Sequence, residues 1–179
     1  MKLAILDRDG VINFDSEHYI KSPAEWRPIP GSIEAIARLN QNGYRVAVAT
    51  NQSGIGRGLF DMATFNAIND KMMELVFRQG GRIDALFFCP HTVAAQCACR
   101  KPRTGMFEEI AARFHTDLKG VPAIGDSLKD LQAAEAVGAQ PVLVLTGKGK
   151  KTQEEGGIPR KTLVFDDLGE ASRHLISHT

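Results

Sequence analysis

The sequence predicts an α/β fold, a parallel sheet with helices packed on both faces. Two observations carry that expectation. Short apolar runs rich in valine and isoleucine recur along the chain, as buried parallel strands require. Between them lie segments whose apolar residues fall at helical spacing. Residues 3–6 read as the first strand and 46–49 as the second. Phe65, Ile68, Met72, Leu75 and Val76 then mark one helix face, and 85–88 a third strand. Phe107, Ile110, Ala111 and Phe114 mark a second helix, with His115 at its C-terminal end, before a strand at 121–124. A third helix is expected to begin near Ser127 and end at Gly138, whose freedom at positive φ suits a cap. Strands at 142–145 and, more weakly, 163–165 complete the sheet. The stretch 13–30 lacks periodicity and carries three prolines, so it reads as a long ordered loop, a feature that is usually functional in a small domain. The glycine-rich, charged segment 147–157 reads as a solvated loop.

Length and charge bound the function. A chain of 179 residues is expected to form one domain, residues 1–179. Hydrophobic residues make up 43% and charged residues 24%, which excludes a disordered or fibrous chain. Twenty-two basic residues against 21 acidic ones leave a net charge of +1, so no global field draws the chain to nucleic acid or an anionic membrane. No leader or membrane-spanning run is legible, and the expected setting is the cytoplasm, as a monomer. Gly54, Gly56 and Gly58 do not complete a dinucleotide-binding loop, because position 59 is leucine.

In an open parallel sheet, ligands bind beyond the carboxyl ends of the strands. The first strand runs into Asp7-Arg8-Asp9-Gly10 and the second into Thr50-Asn51-Gln52-Ser53. The third leads towards Arg100-Lys101-Pro102, and the fourth ends in Gly125-Asp126-Ser127-Leu128-Lys129-Asp130. Each piece alone is commonplace, since Asp-Gly after a strand is usually a turn. Together they bring acids, a hydroxyl and a lysine to one edge.

This ordered set resembles the haloacid dehalogenase superfamily of aspartate-nucleophile phosphatases, through Asp7-x-Asp9, Thr50, Lys101 and Gly125-Asp126-x-x-x-Asp130. The resemblance spans most of the chain and implies a three-layer Rossmann-like core. In that reading Asp7 is the nucleophile and forms an aspartyl phosphate. Asp9 is the general acid that protonates the leaving oxygen, then the base that activates water. Paired carboxylates repel an anion, so Mg²⁺ is expected, held by Asp7, the Asp9 main-chain carbonyl and Asp126. Thr50 and Lys101 stabilise the phosphoryl oxygens, and Asp130 orients Lys101 or a metal-bound water.

All three cysteines of the chain lie within eleven residues, as Cys89, Cys97 and Cys99, together with His91. Three thiolates and an imidazole make a closed tetrahedral set, the structural kind of Zn²⁺ site. It would fold the loop that aims Arg100 and Lys101.

Within the superfamily the Cys-x-His…Cys-x-Cys-Arg-Lys-Pro arrangement resembles two groups, the phosphatases of D-glycero-D-manno-heptose 1,7-bisphosphate and those of histidinol phosphate. Both imply a minimal cap, with the loop 13–30 standing in for a cap domain. They also imply substrate contacts from Asp15, Ser16, Glu17, His18, Thr50, Asn51, Gln52, Ser53, Arg100 and Lys101. Arg100 offers a bidentate grip for a second phosphate, and the chain is expected to stand without the dehydratase domain often fused to histidinol phosphatases. A small phosphorylated sugar is therefore the expected partner. A catalytically silent zinc-stabilised domain is disfavoured by the intact acids. A nucleic-acid 3′-phosphatase is disfavoured by the absence of a basic, aromatic-interleaved stripe.

Overall fold

A computed structural model describes residues 1–178. Six strands form one parallel sheet in the order β3-β2-β1-β4-β5-β6. They are β1 (Lys2–Leu6), β2 (Tyr44–Asn51), β3 (Ala85–Cys89), β4 (Pro122–Gly125), β5 (Gln140–Val144) and β6 (Leu163–Phe165). The helices are α1 (Ser32–Gln41), α2 (Ser53–Gly56), α3 (Met62–Arg78), α4 (Gly105–Phe114), α5 (Leu128–Ala136), α6 (Gly149–Glu155) and α7 (Leu168–Ser177). The chain builds β2 and β3 on one side of β1, then crosses to build β4, β5 and β6 on the other. That reversal opens a crevice at the carboxyl ends of β1 and β4.

The alternation of side chains along the strands sorts the core into two layers. Ala4 and Leu6 of β1, with Val46 and Val48 of β2, pack against α1, α3 and α7 through Ile36, Leu39, Ile68, Met72 and Ala171. Their neighbours Leu3, Ile5, Ala47 and Ala49 face the other way, onto Met106, Phe107 and Ile110 of α4 and Ala133 and Ala134 of α5. Because both faces are covered, β1 and β2 read as unbroken apolar runs.

Six expected strands and the three expected helices are present, with Ser127 as the N-cap of α5, His115 as the C-cap of α4 and Gly138 at φ +74°. The segment 147–157 is a correction. It holds α6, seated by Thr152, whose hydroxyl donates to the Asp126 carbonyl at 2.8 Å. The basic run that suggested a solvated loop is only its outer side. Helices α1 and α7, not anticipated, pack on each other. Their apolar residues do fall at helical spacing, as Ile33, Ile36 and Ala37 in α1 and Leu168, Ala171 and Leu175 in α7, so the signal was present in the sequence.

The loop 13–30 is ordered through its one large anchor. Trp26, the single tryptophan, is fully buried in the α1/α3 layer. Lys71 of α3 donates to the carbonyls of Pro23 and Trp26, each at 2.7 Å, and sits 5.9 Å from the indole centroid. Replacing Trp26 with Ala is expected to cost about 3–5 kcal/mol of stability, the range for a buried aromatic. Phe77→Ala, on the exposed face of α3 where the ring is 77% accessible, should change stability by no more than about 0.5 kcal/mol. Urea unfolding followed by circular dichroism measures both, and equal losses would contradict the assigned anchoring role.

Candidate active site

The crevice between β1 and β4 receives Asp7 at the end of β1 and Asp126 immediately after β4. Lys101 reaches them from the loop after β3. It is 2% exposed, and its ammonium donates to the Ala49 carbonyl at 2.6 Å and contacts Asp130 Oδ1 at 2.6 Å and Asp7 Oδ1 at 3.2 Å. Three acceptors thus match its three protons. Burial alone would lower the Lys101 pKa, but the charges of Asp130 and Asp7 overcome that and raise it well above the ordinary value. Lys101 is a fixed cation. Its backbone is pinned as well: Asn51 accepts from the Lys101 N–H at 3.0 Å and donates to the Lys101 carbonyl at 3.1 Å. Asp130 also accepts from the Ser127 amide and hydroxyl, closing a capping box on α5.

The two acids of the Asp-x-Asp pair sit in opposite environments. Burial pushes Asp7 well above the usual carboxylate value. The charge of Asp130 adds to this, Lys101 opposes it, and Asp126 and Asp9 raise it further. Asp126 is raised to about 7, again by burial first and Asp130 second. Asp9 is held below the ordinary value. Burial would raise it, but the Arg8 charge and hydrogen bonds from Arg8, Asn13 and Gln52 outweigh that. Arg8 Nε and Asn13 Nδ2 reach Asp9 Oδ1, and Gln52 Nε2 reaches Oδ2, each at 2.9 Å.

The donor set for a hard cation is therefore defined by physics as well as by spacing. Carboxylate oxygens of Asp7, Asp126 and Asp130 lie within 4.8 Å of one another. Asp130 is committed to Lys101 and Ser127, which leaves Asp7 and Asp126 in want of positive charge. The backbone makes room for them. Gly10, at φ +85°, and Gly147, at φ +54°, press against the Asp126 carboxylate where any Cβ would collide with it. These residues fit Mg²⁺, which favours carboxylate oxygens with open positions for water and phosphate.

A second donor set lies beyond β3. Cys99 Sγ is 3.0 Å and Cys97 Sγ 3.6 Å from Cys89 Sγ, while His91 Nδ1 lies 3.3 Å from Cys99 Sγ and 3.5 Å from Cys89 Sγ. All four donor atoms fall within 4.8 Å of one another. Burial lifts the Cys89 thiol to about 12. Burial also opposes ionisation of Cys97, but the Arg100 backbone N–H and then the neighbouring thiols and His91 bring it down to about 6. Such a cluster of thiols with one already inclined to ionise suits a closed S₃N zinc site.

A cavity of about 440 Å³ opens over the acids. Asp7, Asp9, Asp15, Ser16, Glu17, Thr50, Asn51, Gln52, Ser53, Arg100, Lys101, Asp126 and Asp130 all line it. His18 does not. It lines the adjacent cavity inside the loop 13–30, with Phe14 and Arg27.

Comparison with known proteins places this geometry. A family model described as polynucleotide kinase 3 phosphatase matches residues 2–129, and one described as HAD-hydrolase-like matches residues 98–171. The chain is 56% identical to D-glycero-β-D-manno-heptose-1,7-bisphosphate 7-phosphatase of Bordetella bronchiseptica, over 98% of each chain. It is 55% identical to the enzyme of that name from Pseudomonas putida, over 98% of this chain and all of the relative. The chain belongs to the heptose-bisphosphate phosphatase family of the haloacid dehalogenase superfamily. The crystal structure of the B. bronchiseptica family member, complexed with magnesium and phosphate, superposes with a TM-score of 0.99 over the whole of both chains at 55% identity.

Set against the family motif, Arg8 sits at its variable position, and sequence reasoning gave it no role. The structure buries it completely, bound to Asp9 and, through Nη1, to Asn69 of α3 at 3.1 Å, with the Phe65 ring 5.7 Å away. Lys129, Lys148, Lys151, Thr152 and Glu155 also line the cavity and were not singled out as site residues. The charge run at 148–151 was the available signal. Lys148 pairs with Asp15 at 3.5 Å, and its backbone N–H donates to Asp126 at 2.8 Å.

The raised Asp126 has a consequence for pH. Its folded value, about 7, lies above the unfolded value near 3.8. Folding therefore opposes its ionisation, and its contribution to stability falls as pH rises between those values. In magnesium-free buffer the melting temperature should rise as pH is lowered from about 8 to about 6, through protonation of this group. Added Mg²⁺ should stabilise more at the higher pH, where protons do not compete for the site. Equal stabilisation by Mg²⁺ at both values would show that Asp126 is not titrating there.

Proposed function

We propose that this protein is a Mg²⁺-dependent phosphatase that removes the C7 phosphate of D-glycero-β-D-manno-heptose 1,7-bisphosphate. Residues 1–179 would act as one domain, in the cytoplasm. The observation that carries the reading is the juxtaposition of Asp7, Lys101 and Asp126 in the crevice of a chain more than half identical, end to end, to enzymes of that name. The match to the polynucleotide 3′-phosphatase model covers Asp7, Asp9, Thr50, Lys101 and Asp126, the machinery shared by phosphoryl-transferring relatives. The mouth favours a sugar bisphosphate over histidinol phosphate. Arg100, Lys129, Lys148 and Lys151 line it, suiting a second phosphate, while Asp15 and Glu155 are already paired with Lys148 and Lys151.

The reaction follows from the placement of these groups. An Asp7 carboxylate oxygen attacks phosphorus as the bond to the C7 oxygen breaks, leaving an aspartyl phosphate. Asp9 delivers a proton to the departing alkoxide, then takes one from the water that attacks phosphorus and frees Asp7. Arg8, Asn13 and Gln52 hold Asp9 as a carboxylate in the free enzyme, the form needed for the second step. The charge of an incoming phosphate raises its affinity for the proton needed in the first. Lys101 neutralises phosphoryl charge, and its longest contact, to Asp7, is the one a phosphoryl oxygen can share. The Thr50 hydroxyl, oriented by a 2.9 Å hydrogen bond from Gln52 Nε2, donates to a second oxygen. Mg²⁺, held by Asp7, the Asp9 carbonyl and Asp126, supplies the charge that lets carboxylate and phosphate approach. Cys89, His91, Cys97 and Cys99 would hold Zn²⁺, which would fix the loop that carries Arg100 and Lys101.

Asp7→Asn is expected to abolish turnover in a folded protein, and acid-quench trapping of the native enzyme should place phosphate on Asp7 alone. Label on another residue would overturn the mechanism. Asp9→Asn should lose about 10²–10⁴-fold on the sugar phosphate and much less on a nitrophenyl phosphate, whose leaving group needs no proton. Equal losses on the two substrates would show that Asp9 serves the metal or the fold instead.

A further inference from the structure

Five cations line the cavity over the catalytic acids: Arg100, Lys101, Lys129, Lys148 and Lys151. Three are matched to carboxylates. Lys101 has Asp7 and Asp130, Lys148 has Asp15, and Lys151 has Glu155. Among the described residues, Arg100 and Lys129 form no ion pair. The one side-chain bond from Arg100 is a long contact of 3.4 Å to the His91 carbonyl. Both residues, like Lys101, line the catalytic cavity and also a second one of about 260 Å³ beside the cysteine loop. They come from unrelated parts of the chain, Arg100 from the loop after β3 and Lys129 from the first turn of α5. The fold brings them together and gives them no shared carboxylate.

Two unmatched like charges at one rim are costly unless an anion joins them. The cost shows on Lys129, whose pKa is lowered by partial desolvation first and by Arg100 and Lys148 next. Such a pair is complementary to a dianion that arrives with the substrate. The transferring phosphate cannot be that dianion, because Lys101, Thr50 and the metal-binding acids already define its place.

We propose that Lys129 is a specificity-determining residue, which closes with Arg100 on the second phosphate of the substrate. This rests on the bisphosphate reading above and assigns to α5 a contact that the family motif does not contain. Lys129 is a point charge on a flexible stem and Arg100 a planar fork, so the two approach one phosphate from different elements without competing for the same oxygen lone pairs. Lys129 stands next to Asp130, which holds Lys101. Grip on the distal phosphate and orientation of the catalytic lysine are therefore carried by one helical turn.

The test compares full-length native, Lys129→Gln and Lys129→Arg proteins on heptose 1,7-bisphosphate and on heptose 7-phosphate, which lacks the second phosphate. Lys129 is exposed, so the variants should keep the native melting temperature and zinc content. Lys129→Gln should raise KM for the bisphosphate about tenfold, the scale of one charge-assisted hydrogen bond to phosphate, with kcat within about twofold. Its KM for the monophosphate should stay within about twofold, and Lys129→Arg should recover most of the loss on the bisphosphate. Equal effects of Lys129→Gln on both substrates, or none on either, would overturn the assignment while leaving the bisphosphate reading intact. Native enzyme that does not prefer the bisphosphate would overturn that reading and the role of Lys129 with it. The native measurements alone separate the two failures.

Discussion

The buried ammonium of Lys101 is the charge on which the rest of the site depends. Asp7, Asp126 and Asp130 converge in a crevice where burial opposes ionisation of Asp7 and Asp126, and no fold holds such a cluster without compensation. Lys101 supplies the part that the chain itself can supply. It binds Asp130 of α5 and Asp7, the residue after β1, together, so two segments far apart in sequence are held by one cation. What it leaves unmatched is an excess of acid at Asp7 and Asp126, a charge that a divalent ion would neutralise. Structure and function draw on the same imbalance of charge.

That constraint explains how much of the molecule serves to place one side chain. Asn51 at the end of β2 grips the Lys101 backbone from both sides. The Cys89–Cys99 loop, with His91, ties the preceding residues into a compact knot against β3. Asp130 is in turn locked by its capping box with Ser127. Opposite them, Asp9 is held by an independent set, Arg8, Asn13 and Gln52, and Arg8 links it to α3 through Asn69. Asp7 and Asp9 are two positions apart, yet one is raised and the other lowered in affinity for protons. Neighbouring charges, not distance along the chain, set that difference.

The site is shallow for an enzyme that must select among phosphate esters. No second domain covers the catalytic cavity among the described residues. The loop 13–30, anchored by Trp26, forms one wall, and α6 forms the facing one. Lys148 and Asp15 join the two across the mouth. At its rim, among the described residues, Arg100 and Lys129 form no ion pair.

The periodic apolar runs, the Asp-x-Asp and Gly-Asp-x-x-x-Asp motifs, Thr50, Lys101 and the cysteine–histidine spacing were all legible in the sequence. Each is a local pattern, because a strand buried on both faces must be apolar, and residues at strand ends must share an edge. Helices α1 and α7 were missed although Ile33, Ile36 and Ala37, and Leu168, Ala171 and Leu175, carry the helical period in the sequence itself. Helix α6 was hidden by its charged outer side, its anchors being hydrogen bonds from Thr152 and the Lys148 N–H to Asp126. Arg8 reads as a spacer until the fold surrounds it, and His18 lines the adjoining cavity inside the loop 13–30. Sequence determined which chemical groups reach the crevice, because strand order and motif spacing are properties of the chain. Only the tertiary structure decided which charges are neutralised there, because pairing depends on contacts between elements that no local pattern encodes.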